Sequence, residues 1–242
     1  MNFKMQTILA AYRGSIAHGM HDPNPNGIDD IDYISCFIAS ENHYLGTLGE
    51  KPTVVTQVDR DDAVEYELRH FCKLASVCNP NVMSLLECRE LLVTSDSGEL
   101  LRKHKSMFYS KHAYNAIRGY AESQIANMNK TDFAGCYQGE KRRERYKQFG
   151  YDCKSAAHGI RIIRMGCEFL ETGLWRINRQ EAGDSLELLN IKNGKSTKRD
   201  VLVEFEGLKE RLKKAKELTL LPDNPDLGKI NDTVKYILKA EL

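Results

Sequence analysis

The sequence predicts an α+β protein in which a small mixed-sheet domain, residues 1–100, is followed by a helical domain, residues 101–242. Two observations support this division. In the first domain, short apolar runs rich in β-branched and aromatic residues lie between polar turns, a pattern typical of strands. Beyond the first domain that pattern disappears, and apolar residues recur at helical spacing.

Four strands are predicted in the first domain. The first ends at Gly14-Ser15, and the last runs into residues with helical spacing, from Leu68 to Cys78. Asn79-Pro80 then marks a helix boundary, and a second helix follows from Val82. The predicted strands cover residues 7–12, 30–38, 52–58 and 63–68.

The second domain is predicted to be helical, apart from a possible short extended piece at residues 174–178. A long helix starts near Tyr151 and ends at Thr172-Gly173, where glycine can form a left-handed C-terminal cap. Two prolines, Pro222 and Pro225, precede a final helix from Leu227. The other predicted helices lie within residues 103–129, 186–194 and 197–218, and residues 139–149 form a charged segment.

Composition narrows the class of protein. A chain of 242 residues with 41% hydrophobic content is ordinary for a globular protein and has room for two small domains. The sequence has no secretory h-region and no apolar run of about 18 residues, which predicts a cytoplasmic protein without a membrane segment. The seven cysteines include no Cys-x-x-Cys pair, which argues against disulfides and a zinc ribbon and predicts reduced core thiols.

Two pairs of residues near the N-terminus indicate a chemical function. Gly14-Ser15 follows the first strand, and a residue without Cβ lets backbone N–H groups approach phosphate oxygens closely. Asp30 and Asp32 head the second strand one residue apart, so both carboxylates point to one face. Carboxylates paired in this way can bind a divalent cation. The combination predicts phosphoryl or nucleotidyl transfer.

The order of Gly-Ser, loop and Asp-x-Asp resembles the polymerase-beta-like nucleotidyltransferase superfamily. Residues 13–19 and 30–38 are similar to stand-alone bacterial and phage nucleotidyltransferases that include RNA-ligase-associated polymerases, although the loop at residues 21–27 is longer here. The resemblance implies Mg²⁺ or Mn²⁺ at the two aspartates and a nucleoside triphosphate whose β- and γ-phosphates contact the Gly-Ser pair. Arg13 and His18 could add donors, but an isolated histidine beside a loop usually packs or faces solvent, so His18 is left outside the predicted site.

The resemblance also implies a third carboxylate on a neighbouring strand. Glu65 and Glu67 alternate on one face of the predicted strand 63–68, and either could complete the set. Asp62, in the turn before that strand, is a weaker candidate. The alternative is that the two glutamates lie on a solvated face of the sheet.

A cationic stripe lies on the long helix of the second domain. At 100° per residue, Lys154, His158, Arg161 and Arg164 fall within about 120° of one another, opposite an apolar face. Residues 151–166 resemble the helical-domain motif of the same nucleotidyltransferases. The resemblance implies that Lys154, His158 and Arg161 contact the triphosphate or the primer end. On charge pattern alone, a solvated basic face is the alternative.

The distribution of charge is uneven along the chain. Residues 1–100 contain 7 basic and 15 acidic side chains, residues 101–164 contain 14 and 5, and residues 165–242 contain 14 of each. An acidic segment facing a basic one fits metal on one side of a cleft and polyphosphate or nucleic acid on the other. The basic run 141–147, which includes Tyr146, is compatible with binding a nucleic-acid backbone, and a solvated helix is the alternative.

The leading hypothesis is a metal-dependent enzyme that transfers a nucleoside monophosphate from a triphosphate to an acceptor hydroxyl and releases pyrophosphate. The mid-chain basic excess and the similarity to RNA-repair polymerases favour an RNA 3′ end, or another polyanion, as acceptor. Two alternatives remain: transfer to a protein or small molecule, and a non-catalytic nucleotide-binding regulatory or antitoxin module. A structural scaffold with chance motifs would bind no triphosphate.

Overall fold

The computed structural model divides into two compact units. The sheet unit comprises Met1–Ala17, Asp30–His112 and Pro222–Leu242, and the helical unit comprises His18–Asp29 and Ala113–Leu221. The structure describes residues 6–21, 29–47, 49, 51–58, 61–132 and 139–242. The loop predicted at residues 21–27 therefore lies outside the described residues, apart from its first.

The described strands of the sheet unit form one mixed sheet. They are β1 (Thr7–Arg13), β2 (Ile31–Phe37), β3 (Thr53–Val58), β4 (Asp61–Glu67) and β5 (Leu91–Thr94). Their order across the sheet is β3-β4-β2-β1-β5. Strand β2 is antiparallel to β1 and parallel to β4, whereas β3 and β5 are antiparallel strands at the two edges.

The hydrophobic core of the sheet unit lies between the sheet and its helices. These are α1 (Gly14–Ala17), α2 (Glu41–Leu45), α3 (Leu68–Ser76), α4 (Pro80–Glu87) and α5 (Asp96–Lys103), followed by a short 3₁₀ helix. Residues 8–11 of β1 are all buried, as expected for a central strand covered on both faces. Helices α3 and α4 bury Phe71, Leu85 and Leu86 and pack on β1, β2 and β4.

The helical unit is organised around one long helix. Its helices are α6 (His112–Asn127), α7 (Gly139–Phe149), α8 (Cys153–Thr172), α9 (Arg179–Ala182), α10 (Ser185–Lys192) and α11 (Lys198–Leu218). Helix α8 packs against α10 and α11 and ends at Gly173, which has a φ of 72°. Buried Arg179 pairs with Glu168 at 2.8 Å and Asp184 at 2.7 Å, which ties α9 to α8 and to the start of α10.

The last helix, α12 (Leu227–Glu241), belongs to the sheet unit. The sequence instead predicts residues 222–242 as part of the helical domain, because helical periodicity does not reveal which surface a helix packs on. Helix α12 buries Ile230 and Ile237, and Glu241 accepts a hydrogen bond of 2.6 Å from the Ser97 hydroxyl on α5. The first unit likewise extends to His112 rather than to residue 100.

The predicted α+β class with a mixed sheet and a helical region is confirmed. The four predicted strands are present within one or two residues at most ends, whereas β5 is absent from the prediction. A run as short as Leu91–Thr94 does not distinguish a strand from a piece of helix by periodicity. The cysteines among the described residues are buried thiols, namely Cys36, Cys72, Cys78, Cys88, Cys153 and Cys167.

Candidate active site

Three carboxylates converge at the start of β2 and β4. Oxygen atoms of Asp30, Asp32 and Asp62 all lie within 4.8 Å of one another, and the three residues are half-buried. The parallel ladder explains the convergence, because Asp32 of β2 is directly beside Asp62 of β4. Residues in register on neighbouring strands point to the same face. Asp30 joins them because it precedes Asp32 by two positions.

This donor set fits a hard divalent cation. Mg²⁺ and Mn²⁺ prefer oxygen ligands, and Mg²⁺ at about 2.0–2.1 Å places opposite ligands roughly 4 Å apart. At most one pair among three ligands can be opposite, so the oxygens of Asp30, Asp32 and Asp62, which lie within 4.8 Å of one another, must move inward to bind one such ion. Among the described residues, these three form the group of carboxylate, histidine and cysteine side chains suited to holding a metal ion.

Gly14 lies directly against the carboxylate of Asp32. It has a φ of 63°, and a Cβ added there would be 2.3 Å from Oδ2 of Asp32. The next residue, Ser15, lies in α1, the short helix that follows β1. The antiparallel ladder between β1 and β2 brings the Gly-Ser turn to Asp32, since Arg13 at the end of β1 is opposite Asp32. The close contact with the Asp32 carboxylate therefore requires a glycine at this position.

Arg13 contributes a positive charge to the same place. Its Nη2 lies 3.3 Å from Oδ1 of Asp32. Its Nε is buried and has no hydrogen-bond partner. One of the three carboxylates is thus already paired with a cation supplied by the chain.

The glutamates favoured by the sequence analysis lie on the other face of β4. Because Asp62 and Glu65 are an odd number of positions apart, their side chains point to opposite faces. Glu65 is beside Ser35 in the ladder and accepts a hydrogen bond of 3.2 Å from its hydroxyl. Glu65 is 6% exposed and Glu67 only 2%.

Glu67 is engaged in capping α3. Its carboxylate accepts hydrogen bonds from the backbone amides of Arg69 at 2.9 Å and His70 at 3.0 Å. It also accepts one of 2.7 Å from the hydroxyl of Tyr44, and burial together with this bond raises the pKa of Tyr44. The structure thus brings Asp62, rather than Glu65 or Glu67, to the two aspartates of β2.

The cationic residues of α8 occupy different environments within the helical unit. Lys154 and His158 are half-buried one turn apart, and the ring of His158 meets that of Tyr120 edge-on at 5.4 Å between centroids. Arg164 pairs instead with Asp184 at 2.9 Å and Glu204 at 2.7 Å. The stripe predicted from the helical wheel therefore includes one arginine that is neutralised within the unit.

Arg161 is a buried cation. It is only 4% exposed, and burial lowers the pKa of its guanidinium to about 9. Its Nη1 contacts two neutral atoms, Nε2 of His18 and, at 3.5 Å, Sδ of Met165. Within the described part of the chain, no carboxylate lies within ion-pair distance of it. A buried charge normally has a counter-charge, so Arg161 is suited to an anionic ligand.

Three residues that the sequence prediction leaves out or ranks lower gain importance from the structure. The place of Asp62 becomes visible only from the register between β2 and β4, and that of Arg13 from the pairing of β1 with β2. The role of His18 depends on its contact with Arg161, 143 positions away in the chain. The alternation of side chains along β4 was a usable signal for Asp62, because it puts that aspartate on the opposite face of the strand from Glu65 and Glu67. The other two pairings cannot be read from local sequence.

Comparison with known proteins identifies the family. The model of the RNA repair pathway DNA polymerase beta family, RlaP, matches residues 1–235. No curated protein matches the chain. Among the helices that the structure describes, none combines the length and the apolar character needed to cross a bilayer. The resemblance to polymerase-beta-like nucleotidyltransferases is confirmed, and the chain belongs to the RNA repair pathway DNA polymerase beta family.

Proposed function

We propose that the protein transfers a nucleoside monophosphate from a nucleoside triphosphate to the 3′-hydroxyl of RNA, with a divalent cation bound and pyrophosphate released. The observation that carries the proposal is the convergence of Asp30, Asp32 and Asp62 beside Gly14. Membership in the RNA repair pathway DNA polymerase beta family supports the proposal. The relationship to polymerase beta supports nucleotide transfer as the reaction, and the RNA repair pathway supports RNA as the acceptor. The proposal includes the cytoplasmic location predicted from the sequence, where both substrates are available.

The three aspartates have a defined role in this proposal. When bound, Mg²⁺ or Mn²⁺ neutralises charge on the triphosphate and lowers the pKa of a coordinated hydroxyl. Asp30, Asp32 and Asp62 would hold it, because they supply the hard oxygen donors that such cations require. The Ser15 hydroxyl and the Gly14 amide would donate hydrogen bonds to the β- and γ-phosphates, as the family resemblance implies.

The family resemblance also implies that cationic residues of the helical unit bind the triphosphate. Arg161 has neutral partners and keeps its full positive charge available, which favours a polyphosphate as its missing counter-charge. His158 and Lys154, one and two turns earlier on α8, would contact the same ligand. Arg164 is left out of the proposed set because Asp184 and Glu204 already neutralise it.

The test is incubation of the purified protein with each of the four α-phosphate-labelled triphosphates and Mg²⁺, with an RNA that ends in a 3′-hydroxyl. We expect label on the RNA, none on the same RNA with a 3′-deoxy end, and loss of labelling in Asp30→Asn. Adding a chelator should abolish labelling, and Mn²⁺ in excess should restore it.

The remaining outcomes distinguish the alternatives. Label that appears on protein or on a small molecule in the absence of RNA would mean that the reaction is as proposed but that the acceptor is not RNA. Triphosphate binding without any transfer would support a non-catalytic nucleotide-binding module. A protein that neither binds triphosphate nor transfers it would exclude all of these functions.

A further inference from the structure

The imidazole of His18 is held between two groups whose hydrogen-bonding roles are fixed. Its Nδ1 lies 2.8 Å from the carbonyl oxygen of Ile177, and its Nε2 contacts Nη1 of Arg161. A carbonyl oxygen can only accept a hydrogen bond and a guanidinium can only donate one. Nδ1 must therefore carry the proton, and Nε2 must be the acceptor. The ring is neutral, in the Nδ1–H tautomer.

The surroundings of His18 oppose any other protonation state. The residue is 4% exposed, and burial lowers its pKa, with Arg161 the next largest cause. His158 and Arg179 also face it and act in the same direction. A second proton on the ring would remove the acceptor for Arg161 and place like charges against each other.

A neutral acceptor has a specific advantage for an anion-binding arginine. A carboxylate would orient the guanidinium but would also cancel its charge, as Asp184 and Glu204 do for Arg164. An imidazole nitrogen orients one Nη group and leaves the charge in place. The bond from Nδ1 to Ile177 fixes the plane of the ring, so that the direction of the lone pair on Nε2 is fixed as well. A backbone hydrogen bond also joins these two segments, since the amide of Arg179 donates to the carbonyl oxygen of His18 at 3.1 Å.

We propose that His18 is a positioning residue that holds the guanidinium of Arg161 in one orientation and leaves its charge uncompensated for an anionic ligand. This inference rests on the proposed function, in which Arg161 binds the triphosphate. It assigns His18, which directly follows the Gly-Ser helix α1 in the chain, to nucleotide binding through another residue. His18 itself makes no contact with the substrate in this proposal.

Two substitutions separate this role from a purely structural one. In His18→Gln the side-chain amide reaches the position of Nε2 and can still accept from Arg161. In His18→Asn the amide reaches only the position of Nδ1, so that the bond to Ile177 can persist while the acceptor for Arg161 is lost. A structural role through Ile177 predicts that the asparagine variant is the milder one, whereas the positioning role predicts the opposite.

The experiment measures equilibrium binding of labelled ATP with Mg²⁺ and without RNA, for the two variants, for Arg161→Met and for the double variant His18→Asn/Arg161→Met. A hydrogen bond to a charged group is worth about tenfold in affinity, so we expect His18→Asn to weaken binding about tenfold and His18→Gln at most threefold. In the Arg161→Met background, His18→Asn should have no further effect. Thermal unfolding of each variant establishes that it is folded under the binding conditions.

The possible failures are distinguishable. If the wild-type protein binds no ATP, the proposed function fails. If it binds ATP but His18→Asn binds as well as His18→Gln, or loses the same factor with and without Arg161, the inference about His18 is wrong and the proposed function stands. A ¹⁵N NMR spectrum of the wild-type imidazole needs no variant: a protonated Nδ1 beside an unprotonated Nε2 is expected, and the reverse tautomer would overturn the inference.

Discussion

Nη2 of Arg13 lies 3.3 Å from Oδ1 of Asp32, its neighbour across the β1–β2 ladder. A cation that binds the three aspartates must therefore compete with an arginine that already neutralises one of them. A partly exposed pair of this kind contributes about 1 kcal/mol, which corresponds to roughly fivefold in affinity. We expect Arg13→Gln to tighten binding of Mn²⁺ alone by about that factor, measured from the electron paramagnetic resonance signal of free Mn²⁺.

The control for that prediction is Arg118→Gln, which removes the same charge from a surface pair with Glu122 on α6. Its affinity for Mn²⁺ should equal that of the wild type. Weaker rather than tighter binding in Arg13→Gln would mean that the arginine orients Asp32 for the metal instead of competing with it.

Gly14→Ala should damage the carboxylate cluster. The new Cβ would be 2.3 Å from Oδ2 of Asp32, so the carboxylate must move, and the φ of 63° adds backbone strain. We expect Mn²⁺ affinity to fall by at least about tenfold, in line with losses seen when groups that hold metal ligands are changed. Gly173→Ala is the matched control, because its φ is 72° but a Cβ there meets nothing within 4 Å. Equal losses of metal affinity in both variants would mean that backbone strain alone, and not the contact with Asp32, causes the loss.

The third carboxylate can be identified by substituting two acids of the same strand. Asp62→Asn removes a charge from the cluster, whereas Glu65→Gln removes one from the opposite face, where Ser35 can still donate. We expect Asp62→Asn to lower nucleotide transfer by about 100-fold or more, a loss typical of groups that stabilise charge in the transition state. Glu65→Gln should retain most of the activity. If Glu65→Gln lowers the transfer rate more than Asp62→Asn does, Glu65 is the third carboxylate.

Glu67→Ala should affect stability more than chemistry. The carboxylate caps α3 through two backbone amides and accepts from Tyr44, and loss of such a cap lowers the free energy of unfolding by about 1–2 kcal/mol. Urea unfolding measures this loss, and transfer assays below the unfolding midpoint should show a rate close to wild type. Loss of activity with unchanged stability would instead indicate that Glu67 contacts the metal or substrate.

Acid should destabilise the protein partly through His18. Burial and the neighbouring Arg161 hold the pKa of His18 well below its ordinary 6.5, so in this range the unfolded chain binds more protons than the folded one. The contribution of His18 to stability is therefore fully present above about pH 6.5 and falls by up to about 1.4 kcal/mol per pH unit below it, until the folded pKa is reached. His18→Gln should show a smaller loss of stability between pH 7.5 and 5.5 in urea unfolding. An unchanged pH dependence in that variant would contradict the neutral, buried state of His18.

The elements of this fold were largely predictable because their signals are local. Asp30 and Asp32 head an apolar run, and Gly173 ends a long helical pattern, so strand β2 and helix α8 follow from short stretches of sequence. The division into units was less predictable, since nothing in α12 indicates that it packs beside α5.

The site was predictable only in part, because some of its residues are brought together by contacts between distant segments of the chain. Gly14 and the two aspartates are close in the chain, whereas the place of Asp62 depends on the register between β2 and β4. Register depends on which faces of both strands are buried and on how the strands are connected, so it cannot be read from one strand alone. The contact between His18 and Arg161 joins still more distant segments, and a helical wheel could not show that Arg161 is buried among neutral groups.

The placement of α12 has a consequence for how the protein is made. The sheet unit needs Leu227–Glu241, yet its preceding segment ends at His112. A ribosome adding about 5–20 residues per second needs roughly ten seconds to synthesise the intervening chain. During that interval the surface that later holds Ile230 and Ile237 stays uncovered, while the helical unit can already fold. The nascent sheet unit is therefore the segment that we expect a chaperone to bind.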